Sequence, residues 1–169
     1  SAEGEINLGS TKLKSLSHRM LRSKIGVVSQ EGYIFSDTIA NNIAVWEEHP
    51  DLLGIIEAAK VANIHEFITE LPLGYNTRIG SDGTGISQGQ KQRLLIARAV
   101  YKNPDFIFFD EATNSLDANN EMIIMNNLNE FFKGRTVVIV AHRLSTVKNA
   151  DKIVVLNKGS IVEMGKHDE

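Results

Sequence analysis

The most restrictive stretch of this chain is Phe106-Ile107-Phe108-Phe109-Asp110-Glu111. Four consecutive apolar residues fit a short strand covered on both faces, the pattern of a parallel sheet between helices. Upstream, the helical pattern that opens at Ser87 must stop near Asn103-Pro104, because a residue before proline avoids the α region. Downstream, the strand delivers two adjacent acids to a sheet edge. That placement does little for stability and suits phosphate chemistry. An Asp there can hold Mg²⁺, and a neighbouring acid can orient or deprotonate a water. Ile25-Gly26-Val27-Val28-Ser29 and Thr136-Val137-Val138-Ile139-Val140 read as two further buried strands. The expected class is α/β with a mainly parallel sheet.

Composition bounds the alternatives. The 169 residues suffice for one domain with a core. A net charge of −3 argues against nucleic acid as a bulk partner. Without cysteine there are no disulfides or thiolate metal sites, which fits a reducing compartment. No apolar run approaches the ~20 residues a membrane span needs, and Ser1-Ala2 has no signal-peptide character.

Along the chain, Glu5 to Leu8 alternates between Gly4 and Gly9 and reads as a strand between turns. It mimics a phosphate-binding G-x-x-x-x-G-K-[ST] loop but carries Ser10 where the Lys belongs. No other segment fits that loop. Leu13, Leu16, Met20 and Leu21 predict a short helix. Asp51 to Leu71 predicts two helices with Ile55, Ile56, Ala59, Ala62, Ile64, Phe67, Ile68 and Leu71 as core. Trp46 and His65 read as structural, and Pro72 to Gly85 as loop. Ser87-x-x-Gln90 is a capping box, and a capped helix N-terminus also attracts anions. Asp117 is placed to cap the helix from Ala118 to Phe132, with Met122, Ile123, Met125, Leu128 and Phe132 facing the core. Gly134 ends that helix. Lys152–Leu156 and Ser160–Met164 form a hairpin through Asn157-Lys158-Gly159.

Five segments together carry a resemblance: GVVSQEGYIFSDTIANNI, ISQGQKQR, FIFFDEA, NSLD and HRLSTVKNAD. From about Gly4 to Gly165 the chain resembles the nucleotide-binding domain of ABC transporters. The wording TIANNIAV, LPLGYNTRIG and HRLSTV is similar to exporters, most of all to bacterial peptidase-containing bacteriocin and peptide exporters. The resemblance implies a P-loop NTPase-like, partial sheet with an inserted helical subdomain at roughly 33–102. It implies ATP and Mg²⁺ as ligands, with Asp110 on the metal, Glu111 as general base, and Gln30 and His142 sensing the γ-phosphate. Gln30 would also touch the metal. Ser87, Gln88, Gly89 and Gln90 would be the signature element, reaching ATP held by a second such domain through the Ser87 hydroxyl and the Gly89 N–H. Asp117 would lie on the dimer interface, as well as or instead of capping its helix. The residues after Gln30 would face a transmembrane domain, which places the chain at the cytoplasmic face of the cell membrane.

Two departures stand out: Gln88 replaces the first signature Gly, so its backbone must be ordinary or slightly strained, and Ser81 replaces a Glu. The missing Walker A loop implies an N-terminally truncated and inactive domain with uncovered apolar sheet surface. The rivals are a chromosome-maintenance or DNA-repair ATPase and a non-enzymatic interaction module. The first places its Gln loop across a long coiled coil, and no heptads separate Gln30 from Ser87 here.

Overall fold

The computed structural model describes residues 3–45, 47–81, 83–142 and 144–167, with Leu144 and Ser145 described by their backbone alone. Trp46 lies outside the described residues. The chain opens with a small antiparallel pair, β1 (Asn7–Leu8) and β2 (Thr11–Lys12). Gly4 and Gly9 both have positive φ, so the segment that mimics a phosphate loop is turn, strand and turn. The expected helix over Leu13–Leu21 is divided. A 3₁₀ turn spans Leu13–Ser15, and α1 (His18–Lys24) starts only where the Ser17 hydroxyl accepts the Met20 N–H. Ser17 competes for that amide better as a cap than it would inside a helix.

β3 (Ile25–Ser29) then leads through the Gln30 segment to β4 (Asp37–Thr38) and α2 (Ile39–Ile43). The predicted helix pair is α3 (Leu52–Val61) and α4 (His65–Glu70). The expected loop after it contains a 3₁₀ turn at Gly74–Asn76 and β5 (Arg78–Ile79), which pairs with β4. α5 (Gln88–Tyr101) ends before Asn103, whose φ of 51° keeps it out of the right-handed region ahead of Pro104. β6 (Phe106–Asp110), α6 (Ala118–Phe132), β7 (Thr136–Val140), α7 (Leu144–Val147), β8 (Ile153–Asn157) and β9 (Ser160–Gly165) complete the order. The β8–β9 turn has positive φ at both Lys158 and Gly159, as a hairpin turn matched to strand twist requires.

β3, β6 and β7 form a three-stranded parallel sheet with β6 in the centre. Its covered face carries Val28, Ile107 and Phe109, packed against α5 and α6. Phe109 meets Phe132 of α6 edge-on at 5.5 Å. α5 is the other organising element, with Leu94, Leu95, Ile96, Ala97, Ala99 and Val100 all buried. α3 lies against it through Ile55, Ala58 and Ala59.

The expectation of strands buried on both faces fails on one side. Val27, Phe108, Val138 and Val140 are 62%, 37%, 45% and 52% exposed. They share one face, since Val27, Phe108 and Val138 are register partners and strand side chains alternate. No described helix covers that face, so apolar content alone overstated burial. Met122 is another correction: it is 57% exposed, and α6 buries Ile124 together with the expected Leu128. The two faces of α6 make a direct test. Leu128→Ala should cost ~2–5 kcal/mol in urea unfolding of the chain, while Met122→Ala should change it by less than about 1 kcal/mol. Equal losses would mean that α6 is rotated from this orientation.

Candidate functional site

Parallel pairing decides where the site lies. Ser29, Asp110 and Val140 are register partners at the ends of β3, β6 and β7. The next residues, Gln30, Glu111 and Ala141-His142, therefore leave the sheet from one edge. That edge is the carboxyl end, where open α/β sheets bind ligands.

Glu111 is the most constrained of these residues. Its amide donates to the Val140 carbonyl at 3.1 Å, extending the strand pairing one step. Its φ is 50°, in the left-handed region. A non-glycine residue there costs roughly 1–2 kcal/mol and persists only where surrounding contacts enforce it. Both carboxylate oxygens are engaged. Oε2 accepts the Asn114 side-chain N–H at 2.7 Å, and Oε1 lies 2.5 Å from His142 Nε2. Glu111 is 24% exposed at its side chain and His142 is 72% exposed. The carboxylate is thus held from the protein side, and the imidazole lies open to a ligand. A small cavity beside the pair is lined by Phe109, Thr113, Met125, Ile139 and Thr146.

Asp110 and Gln30 are exposed. Among the described residues, no group of three or more His, Cys, Asp or Glu forms a metal cage. One free carboxylate beside an amide nevertheless suits Mg²⁺, which takes one or two carboxylates and leaves its other positions to phosphates and water.

The remaining predicted residues form a second group. Ser87 caps α5 through a complete capping box: its hydroxyl accepts the Gln90 amide at 3.2 Å, and Gln90 Oε1 accepts the Ser87 amide at 2.8 Å. Gln88 lies inside α5 with an ordinary helical φ, so replacing the expected glycine strains nothing. Gly89 sits against the Ser115 carbonyl, which a Cβ would meet at 3.4 Å. Asp117 caps α6 through the Asn120 amide at 3.0 Å. Hydrogen bonds from the Asn120 side chain and backbone hold its carboxyl below the usual carboxylate range. Gly89 thus brings α5's N-terminus beside the Asn114–Asp117 turn.

Several working parts left no mark in the sequence. Asn42 is fully buried and holds the segment after Gln30. Its amide N donates to the Phe35 and Thr38 carbonyls at 3.0 Å each, and its Oδ1 accepts the Phe35 amide at 2.8 Å. Arg98 of α5 donates to the Asn42 carbonyl at 2.7 Å and the Tyr33 carbonyl at 2.9 Å. Its guanidinium lies 5.4 Å from the Phe35 ring centre, and burial lowers its pKa from the ordinary value. Gly32 completes the attachment, since a Cβ there would come within 2.3 Å of Leu95. An Asn among helix-forming residues and an Arg in an A-R-A run give no local hint of this clamp. Ser81 contacts the same segment through Ser36, with their hydroxyl oxygens 2.7 Å apart. His65, expected to be structural, pairs with the Tyr75 hydroxyl at 2.8 Å.

A family model described as "ABC transporter" matches residues 1–114. ABC transporter B family member 13 of Arabidopsis thaliana is 50% identical over 166 residues, covering 98% of this chain and 13% of that protein. The Toxin RTX-I translocation ATP-binding protein of Actinobacillus pleuropneumoniae is 49% identical, covering 98% of this chain and 24% of that protein. Among solved structures, a bacterial Atm1-family ABC exporter with ATP bound matches with a TM-score of 0.92 and 38% identity, covering 98% of this chain and 29% of the other. The chain therefore spans less than a quarter of the length of the two curated relatives.

The left-handed backbone at Glu111 generates a stability test. Glu111→Gly removes the Cβ that makes this φ costly, and with it a partly exposed pair worth ~0–1 kcal/mol. Thermal melting of the chain should show Glu111→Gly at least as stable as the parent. A loss above about 1 kcal/mol would mean that the carboxylate's contacts outweigh the strain.

Proposed function

The chain belongs to the ABC transporter family, and from that premise we propose that it works as the ATP-hydrolysing nucleotide-binding domain of an exporter. The observation that carries the reading is the Glu111 carboxylate, held on both oxygens beside exposed Asp110, Gln30 and His142 at one sheet end. The likeness to a toxin-translocating protein supports the finer reading of a peptide or protein exporter. Residues 33–102 form the helical subdomain in this reading, and the remainder of 1–169 the core. Among the described residues, no helix is long and apolar enough to cross a membrane. The proposed partners, on the likeness to an ABC exporter, are a transmembrane domain and a second nucleotide-binding domain. A cleft of about 690 Å³ between α1, β3, α2 and α5, lined by Phe35, Val45, Glu47 and Arg98, supports docking of the membrane partner beside the Gln30 segment.

Phosphoryl transfer is chiefly positioning and charge stabilisation. Glu111 takes a proton from the attacking water. With Oε1 held by His142 and Oε2 by Asn114, the carboxylate still has lone-pair capacity for that water. His142 orients Glu111 and presents its ring to the γ-phosphate. Gln30 and Asp110 would hold Mg²⁺, which when bound neutralises phosphate charge. Ser87 and the Gly89 amide of one domain reach the nucleotide of the other.

In the full-length exporter, Glu111→Gln should abolish steady-state ATP hydrolysis and leave ATP binding intact, because it removes the base and keeps the size of the side chain. Turnover near the parent level would overturn the assignment.

The 169-residue chain alone is proposed neither to hydrolyse ATP nor to bind it tightly, since it contains no G-x-x-x-x-G-K-[ST] segment. The amide cradle and Lys of that loop carry most phosphate affinity in P-loop ATPases. A single helix terminus contributes ~0.3–1 kcal/mol, far short of the ~8 kcal/mol of micromolar binding. Calorimetric titration with MgATP should show no saturable heat. Stoichiometric micromolar binding would reveal a phosphate cradle elsewhere in the chain.

A further inference from the structure

We infer that Glu121 is a positioning residue for the Glu111–His142 pair, bracing the two segments that carry those side chains. The inference rests on the ATPase reading above. Glu121 lies in the first turn of α6, on neither segment. Its Oε1 accepts the hydroxyl of Thr113 at 2.9 Å and the hydroxyl of Thr146 at 3.4 Å. Thr113 is buried in the turn that leaves β6, two residues beyond Glu111. Thr146 sits on α7, which begins just after His142. Glu111 and His142 themselves meet at 2.5 Å. The contacts close a ring from Glu111 through Thr113, Glu121 and Thr146 to His142.

The ring matters because its front contact is weak. His142 is 72% exposed, and an exposed pair of this kind holds little by itself. The Glu111 backbone is strained, and strain of this kind survives only where neighbouring contacts over-determine it. Anchoring Thr113 from behind supplies one such contact, and anchoring Thr146 fixes α7 to the same oxygen. Helix capping does not require this geometry, since Asp117 already caps α6. Interaction with the helix dipole favours an acid in the first turn, but it does not turn the acid toward two threonines on separate segments.

The test is ATP turnover of the full-length exporter as a function of ATP concentration. Glu121→Ala should lower kcat about tenfold or more, because small misplacements of catalytic groups are costly. KM for ATP should stay within about twofold, since the lost interaction acts in the transition state. Thr146→Val removes one hydroxyl at similar volume and should lower kcat by about three- to fivefold. Adding it to Glu121→Ala should cost almost nothing more, because the brace is already broken. Parent-level turnover in Glu121→Ala, a rise in KM that accounts for the loss, or multiplicative effects in the double variant would each overturn the inference.

If Glu121→Ala fails to fold, Thr113→Val and Thr146→Val decide. Non-multiplicative losses in kcat uphold the brace, and parent-level turnover in both removes it. Glu111→Gln, run alongside, separates the two readings. An active Glu111→Gln overturns the ATPase assignment and this inference with it. An inactive Glu111→Gln beside a fully active Glu121→Ala overturns the brace alone.

Discussion

Everything at the candidate site depends on the in-register parallel pairing of β3, β6 and β7. Parallel strands point the same way, so residues following each strand emerge together. The row Ser29, Asp110, Val140 sets that exit line, and the Glu111-to-Val140 hydrogen bond carries it one residue further. A slip of one residue in β7 would move His142 away from Glu111 and turn its side chains to the opposite face of the sheet. The left-handed backbone at Glu111 is the local cost of bending the chain away at that point while keeping the carboxylate on Asn114 and His142.

α5 is the second dependence. Its N-terminus carries the Ser87 cap and Gly89, close to the Ser115 turn. Near its other end, Arg98 grips the segment that follows Gln30. A helix rising 1.5 Å per residue is about 21 Å long over this span and stiff along its axis. The clamp of Asn42, Arg98 and Gly32 therefore ties the Gln30 segment to the helix whose N-terminus Ser87 caps.

The open sheet face marks where composition and packing part. Val27, Phe108, Val138 and Val140 form an apolar patch on the side that also carries Asp110. The β8–β9 hairpin is similarly open, with Val154, Leu156, Ile161, Val162 and Met164 between 44% and 66% exposed. The sheet is covered on one face only, whereas consecutive hairpin residues from Val154 to Leu156, which point to opposite faces, are all exposed. Contiguous exposed apolar surface of this kind favours association.

Elements whose signals lie within a few residues were legible in the sequence, although the helix expected over Leu13–Leu21 is divided and the expected loop holds β5. The strand before Asp110 and Glu111, the capping box at Ser87, the Asp117 cap, the stop before Pro104 and the hairpin turn at Lys158-Gly159 all rest on interactions within a few residues. A linear pattern records such interactions directly. The grouping of Gln30, Asp110, Glu111 and His142 was legible as well, but through family resemblance and strand order rather than through any local rule. Tertiary structure alone decided which strand face is covered, that Met122 turns outward, and that Asn42 and Arg98 clamp the Gln30 segment. It also decided that Asn114 and His142 share the two oxygens of Glu111 between them. These outcomes depend on chain closure, which brings together residues whose spacing in the sequence carries no periodic signal, and a hydrogen bond across that distance is specified only once the sheet register and the helix orientations are set.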